Sequence, residues 1–304
     1  MTQPRRHLEG QTVMMSRRTL MGFFFLRPDE SINEIMRYET AKAARRHGQA
    51  VHGVVAMSNS VRFVATDTTG DRSDFMRDAM SGVARARNDS LNRKGTFWGA
   101  GQFGETVTLD GDALERRLVQ AWLAPVVAGL VEHVEDWPGF QILPKHWGET
   151  IEVNVPDRFY GRNSPETVEF TPQPPPGYED RDLEEVKQYF QQLIEQKEAE
   201  IHAAHPERRY DGVNAVRGEN PRNRPDFALP EPQPTARYDA GDPELQKRAE
   251  SRHQTFVDEY ETARQRWLKG RETTFPAGTV QLKRCAPVRC ASVGPDEPGL
   301  LAEG

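Results

Sequence analysis

Val51-His52-Gly53-Val54-Val55-Ala56-Met57-Ser58-Asn59-Ser60-Val61-Arg62-Phe63-Val64-Ala65-Thr66-Asp67 holds two β-branched runs separated by a short polar interruption. Alternation on either side of Ser58-Asn59 predicts a β-hairpin, because period-two spacing sends successive side chains to opposite faces of a sheet. The second strand puts Ser60 and Arg62 on one face and Val61 and Phe63 on the other. The purpose of that polar face is the question the rest of the chain has to answer.

Working outward, residues 17–26, with Phe23-Phe24-Phe25-Leu26, are expected to form a first strand buried on both faces. Asp29 or Ser31 then caps a helix that runs to about His47. After the hairpin, residues 71–92 show helical spacing in Phe75, Met76, Met80 and Val83. The glycine-framed loop around Phe97-Trp98 leads to a fourth strand over residues 103–109, and Asp110 or Asp112 starts a helix over 113–131 with Leu114, Leu118, Trp122 and Val126 as its apolar stripe. The order β-α-β-β-α-β-α predicts an α+β fold: a ferredoxin-like four-stranded antiparallel sheet with packed helices.

Beyond Trp137-Pro138-Gly139 the composition changes. Residues 140–180 are expected to be strand-poor and to end in a stiff proline-rich connector. A polar helix over 180–204 presents Leu183, Val186, Phe190, Leu193 and Ile194 as a docking stripe; residues 206–241 read as an extended wrap or disordered loop. A last helix covers 243–270, with a short β-like tail at 275–282. The expected domain division is a disordered N-terminus at 1–13, a first domain at 14–139, a proline-rich connector and helical extension at 140–284, and a disordered tail at 285–304.

The chain has 304 residues and a net charge of −6, which taken whole argues weakly against a general nucleic-acid binder. The charge is unevenly spread: residues 1–100 hold 16 Lys and Arg against 10 Asp and Glu, and the remainder holds 24 against 36. Any polyanion contact is therefore expected in the first third. No apolar run approaches the roughly 20 residues of a membrane span, and no secretory signal is read at the start, so a cytoplasmic protein without membrane partners is expected. Cys285 and Cys290 supply two ligands where a structural zinc site needs four, so no metal site is read from them.

Several stretches, in combination and in order, resemble the REP-associated and related single-tyrosine transposases of the HUH class. They are Arg17-Arg18-Thr19 leading to Phe24-Phe25-Leu26-Arg27-Pro28, Val55-Ala56-Met57-Ser58-Asn59, Phe63-Val64-Ala65-Thr66-Asp67, Phe75-Met76, Phe97-Trp98, residues 125–131 and Asp136-Trp137-Pro138-Gly139, with further likeness in the last helix and residues 275–279. The resemblance covers roughly residues 15–283. It implies an enzyme that cleaves single-stranded DNA near hairpins through a 5′-phosphotyrosine intermediate, with a divalent metal held by two histidines alternating on a strand.

In this chain the positions matching those histidines are Ser60 and Arg62, the position matching the nucleophilic tyrosine is Gln120, and the later polar position is Ala124. Glutamine has no ionisable hydroxyl and forms no phosphotyrosine. Neither Tyr38 and His52 nor the tyrosines of the extension (Tyr160, Tyr178, Tyr189 and Tyr260) restore two ligands and a nucleophile on facing elements. The expectation is a transposase-family DNA-binding protein whose catalytic positions are vacated, requiring no cofactor and binding single-stranded or hairpin DNA.

Arg62 places a guanidinium where a metal would meet the scissile phosphate; the bland alternative pairs it with a carboxylate such as Asp67 or leaves it in solvent. Arg17, Arg18, Arg85, Arg87, Arg93 and Lys94 are read as further cationic contacts, and Trp98 as a stacking surface. Two other readings stay open: an active transposase with displaced catalytic residues and Mg²⁺ or Mn²⁺, and a scaffold repurposed for protein contacts through its acidic helices. Relatives of this kind act as monomers or dimers, so a homodimer also stays open.

Overall fold

A computed structural model describes residues 4–157, 159–161, 164–226 and 236–294. Its central sheet is built from β1 (Gln11–Arg18), β2 (Gln49–Met57), β3 (Ser60–Asp67), β4 (Gly104–Thr108) and the two-residue strands β5 (Gln141–Ile142) and β8 (Tyr238–Asp239), in the order β5-β2-β3-β1-β4-β8. The neighbouring pairs from β5 to β4 are antiparallel, and β8 joins β4 in parallel. The chain is thus α+β, and the sheet is six-stranded and mixed where four antiparallel strands were expected. The extra strands come from segments with no strand pattern of their own: two residues are too few to alternate, and each is recruited by an open edge.

The hairpin forms with the expected turn, Met57 pairing with Ser60 across Ser58-Asn59. The first strand does not lie where it was expected. It occupies Gln11–Arg18, and Phe23 to Leu26 belong to an irregular loop that follows a short helical turn at Leu20–Gly22. Val13 and Met15 face one side of the sheet and Met14 the other, so β1 is apolar on both faces, as a central strand must be. The segment before it, expected to be disordered, has Arg6, His7 and Leu8 buried, with His7 N donating to Gly278 O at 3.1 Å. Residues 1–3 and 295–304 of the expected disordered termini lie outside the described residues.

Each sheet face carries its own core. On one, α1 (Glu30–Arg46) and α2 (Arg72–Ser90) cover Val13, Met15, Val61, Phe63 and Ala65. On the other, α3 (Gly111–Trp122), α4 (Ala124–Val127) and α5 (Leu183–Ala204) cover Met14, Val55 and Val64. A bulge between Val51 and Gly53 shifts the phase of β2, which puts Gly53 beneath α3. A Cβ there would stand 3.0 Å from Leu118 Cδ2 and 3.1 Å from Trp122 Nε1, so glycine lets the helix approach the sheet. Asp29 and Asp110 cap α1 and α3 by accepting from Ile32 N and Ala113 N.

The single helix expected over 113–131 is broken after Trp122, because Pro125 offers no backbone N–H to continue the ladder. Residues 140–180 are also richer in strand than expected: besides β5, a hairpin of β6 (Ile151–Asn154) and β7 (Thr167–Phe170) packs beside α1. The stretch 206–241 contains α6 (Val213–Gly218) and β8, with 227–235 outside the described residues. After α7 (Pro243–Leu268), the expected β-like tail is instead β9 (Thr274–Phe275) and the helical α8 (Val280–Cys285), with β10 (Arg289–Cys290) returning alongside β9.

Candidate nucleic-acid interface

Along β3 the residues alternate strictly. Val61, Phe63 and Ala65 enter the α1–α2 core, which leaves Ser60, Arg62, Val64 and Thr66 on the face towards α3. Val64 and the neighbouring Val55 are sealed under α3, but the half of the face nearest the turn stays open. There Ser60 and Arg62 are half-buried, and Arg18, whose cross-strand partner is Ser60, is exposed.

Arg62 reaches the last turn of α3, where its Nη1 donates to Gln120 O at 3.3 Å. That carbonyl is one of those a helix C-terminus leaves without an intrahelical partner, and the helix dipole favours a cation at this end. The neighbouring Arg117 donates to Gln120 Oε1 at 3.0 Å, although its own charge is taken up by Asp239. Arg117 escaped the sequence reading because on α3 it is one of two adjacent arginines; only the fold shows that it lies beside Gln120.

Among the described residues Arg62 makes no ion pair. Burial lowers its pKa, and the charge of Arg18 lowers it further. Asp67, the carboxylate weighed as its partner, lies on the opposite face and bonds to Gln49, Arg72 and the start of α2. A half-buried guanidinium beside a second arginine, with a carbonyl as its protein partner, is an unneutralised charge that an anion would stabilise.

The four positions singled out on the hairpin and α3 thus come close together in part. Ser60 and Arg62 share a face, Arg62 touches Gln120, and Ala124 is buried one turn further on in α4. A hydroxyl and a guanidinium do not suit a divalent cation, which needs carboxylate, imidazole or carbonyl donors and is repelled by arginine. Among the described residues no cluster of three or more His, Cys, Asp or Glu is arranged to hold a metal ion.

The remaining cationic candidates do not converge on this groove. Arg87 is buried and holds the entry to α1, donating to Phe25 O, Arg27 O and the Asp29 carboxylate. Trp98 is largely buried too, its Nε1 donating to Met80 O at 2.8 Å. Neither side chain lies on the open surface that the sequence led one to expect, because residue type and spacing do not tell a surface group from one that satisfies buried carbonyls. Arg17 points to the α2 side and donates to Gly99 O, and Arg85, on α2, is exposed on that side. Arg93 donates to Asn88 Oδ1 and to carbonyls of the 95–96 loop, while Lys94 is exposed at the same loop.

His52 and Tyr38 are committed to structure. His52 Nδ1 meets Gln173 O at 3.0 Å and Nε2 meets Thr66 Oγ1 at 2.8 Å, and burial lowers its pKa to about 4. Tyr38 is buried on α1, beyond the sheet from Arg62, and donates to Pro165 O. The Trp137-Pro138-Gly139 stretch has a packing explanation: Trp137 Nε1 donates to Ala56 O, and a Cβ on Gly139 would stand 2.7 Å from that same carbonyl. No helix among the described residues is long and apolar enough to cross a membrane.

The sequence matches no protein-family model, and no curated protein matches it. Among solved structures, it is similar to a REP-associated tyrosine transposase bound to a REP hairpin, at 18% identity and a TM-score of 0.38, over 48% of this chain and 85% of that one.

Proposed function

We propose that the chain is a DNA-binding protein of single-tyrosine transposase descent, that it engages single-stranded or hairpin DNA through the groove between β3 and α3, and that it does not cleave it. One observation carries the reading: Arg62 is half-buried, has no carboxylate partner among the described residues, and stands beside Arg18 and against the end of α3. A phosphate in that groove would receive two guanidiniums, which suits the bidentate geometry of arginine better than a point cation would. Within this reading, the arginine that excludes a metal supplies the positive charge the metal would have brought. The absence of cleavage follows from the residue types, since Gln120 is no nucleophile and Ser60 with Arg62 is no ligand pair.

The test is a reconstruction. A hairpin DNA with a single-stranded extension is incubated with Mg²⁺ and either the parent or the triple variant Ser60→His, Arg62→His, Gln120→Tyr. The parent should give neither nicked product nor a covalent protein–DNA adduct. An adduct with the parent would refute the proposal and establish displaced catalytic residues; an adduct with the triple variant alone would support both the matched positions and the loss.

A further inference from the structure

The loop that joins β1 to α1 lies over the turn between β2 and β3. Thr19 N donates to Asn59 O at 2.9 Å and Leu26 N to Ser58 O at 3.0 Å, which ties the loop to the end of the sheet where Ser60 and Arg18 stand. Within it Met21 has φ 49° and ψ 19°, a left-handed conformation that a residue with a long side chain rarely adopts. Its side chain is 56% exposed. The turn is closed by Gly22 N donating to Thr19 O at 3.1 Å and Phe23 N to Leu20 O at 3.0 Å, and it holds an apolar side chain out in water beside the sheet end, the kind of strained position that collects at ligand sites.

Residues 219–226 run alongside, fixed by Phe24 N donating to Asn223 O at 2.8 Å. Together the two segments enclose an open groove of about 700 Å³ lined by Met21, Phe23, Phe24, Arg222 and Arg224, with Glu219 and Asp226 also on its wall. Glu219 is engaged by Asn220 N and Asn223 Nδ2. The Arg224 guanidinium lies 5.9 Å from the centroid of the Phe23 ring, and Arg222 reaches Leu91 O at 3.5 Å. Arg93, whose guanidinium covers the Phe25 ring at 4.1 Å, is near enough to Arg222 for the two charges to repel. Among the described residues none of these three arginines makes an ion pair.

We infer that this groove takes unpaired bases of a DNA strand, set against the Met21 side chain and the edge of the Phe23 ring, whose one face is stacked on Phe25 at 5.2 Å, with the adjoining phosphates on Arg222 and Arg224. The inference rests on the DNA-binding reading and extends it: the same strand would pass from the Arg62–Arg18 end of the sheet across the β2–β3 turn into a second, aromatic subsite. A single strand fits because its bases present open faces, and sulfur and ring surfaces accept them without regard to sequence. A duplex has its faces stacked and would leave the groove unused.

The test compares a hairpin carrying a ten-nucleotide single-stranded extension with the same hairpin blunt-ended, using the full chain. Arg222 and Arg224 are exposed, so the double variant Arg222→Ser, Arg224→Ser should retain the fold. It should bind the extended hairpin about tenfold more weakly than the parent, with the slope of log affinity against log salt reduced by about 1.4, the value for two phosphate contacts on a single strand. Affinity for the blunt hairpin should not change. In parallel, 2-aminopurine in the extension should lose fluorescence on binding the parent and keep it with Met21→Ser, Phe23→Leu. Equal affinity of parent and double variant for the extended hairpin, or unaltered 2-aminopurine emission, would overturn the inference while leaving the Arg62 groove standing; a parent that binds neither DNA would overturn both.

Discussion

Replacing Arg72 with methionine removes a fully buried guanidinium that ties α2 to β1, β3, β4 and the segment before β1. From the first turn of α2 it donates to Gln11 Oε1 at 3.0 Å, to Arg6 O at 2.9 Å, and to the carboxylates of Asp67 and Glu105 at 3.4 and 3.3 Å. Breaking a buried ion pair from one side costs about 3–5 kcal/mol, because the remaining charge stays desolvated. The lower end applies here: Asp67 keeps Gln49 Nε2 and the N–H groups of Asp71 and Arg72, and Glu105 keeps Arg5 at 3.2 Å. Urea unfolding followed by tryptophan fluorescence should therefore show a loss of about 3 kcal/mol at pH 7.

The pH dependence adds a sign. In the parent, burial pushes the Glu105 carboxyl up, but Arg72 and Arg5 outweigh it and hold it below the usual carboxylate value. A depressed folded-state pKa contributes stability above the unfolded value, near 4.5, and loses it as pH falls. In the variant, burial is opposed by Arg5 and not by Arg72, so protonation costs less and the gap between parent and variant should narrow from pH 7 to pH 4. A variant within about 0.5 kcal/mol of the parent at pH 7, or a gap that widens in acid, would mean that the Arg72 ion pairs do not stabilise this part of the core.

Three further outcomes follow from packing and burial. Gly82→Ala would put a methyl group 2.0 Å from Glu39 Oε2 where α1 and α2 cross, so it should destabilise by about 1–3 kcal/mol in thermal melts, with Gly82→Ala, Glu39→Ala recovering part of the loss. Burial lowers the pKa of His7 to about 3 and of His253 to about 4, from an ordinary 6.5, so their contribution is complete above pH 6.5 and is lost as pH falls towards 4; His253→Phe should flatten that part of the stability curve. Trp98→Phe removes the N–H bonded to Met80 O and should cost about 1–2 kcal/mol in stability while leaving hairpin-DNA affinity unchanged, as expected of a buried ring.

What could be read from the sequence was whatever rests on period and on capping. The hairpin, α1 with its Asp29 cap, α2, β4 and the stripe of Leu114, Leu118 and Trp122 on α3, continued by Val126 on α4, all stand close to where alternation and helical spacing put them. The elements missed depend on tertiary partners. The Phe23-Phe24-Phe25-Leu26 run is apolar enough for a strand, yet the central strand is Gln11–Arg18, whose alternation is hidden because both its faces are buried. β5 and β8 are created by the edges they join.

The candidate site divides in the same way. Period two put Ser60 and Arg62 on one face, and the fold sets Gln120 against Arg62, a proximity across 58 residues that local pattern does not contain. The surrounding cations were a weaker guide. A count of arginines cannot tell Arg18, exposed at the groove, from Arg87, which is spent on Asp29 and two backbone carbonyls. The burial of Trp98 was hidden for the same reason, since an indole N–H bonded to a buried carbonyl looks like any other tryptophan in a sequence.

The most direct test of the central claim is the affinity of the parent and of Arg62→Gln for a hairpin DNA with a single-stranded extension, measured across 50–300 mM salt. Affinity of the parent should fall steeply with salt. Arg62→Gln should bind about tenfold more weakly at low salt, with a slope smaller by about 0.7–0.9, the share of one phosphate contact. A parent that binds no DNA, a parent whose affinity ignores salt, or an Arg62→Gln variant indistinguishable from it would mean that Arg62 holds no phosphate in this groove.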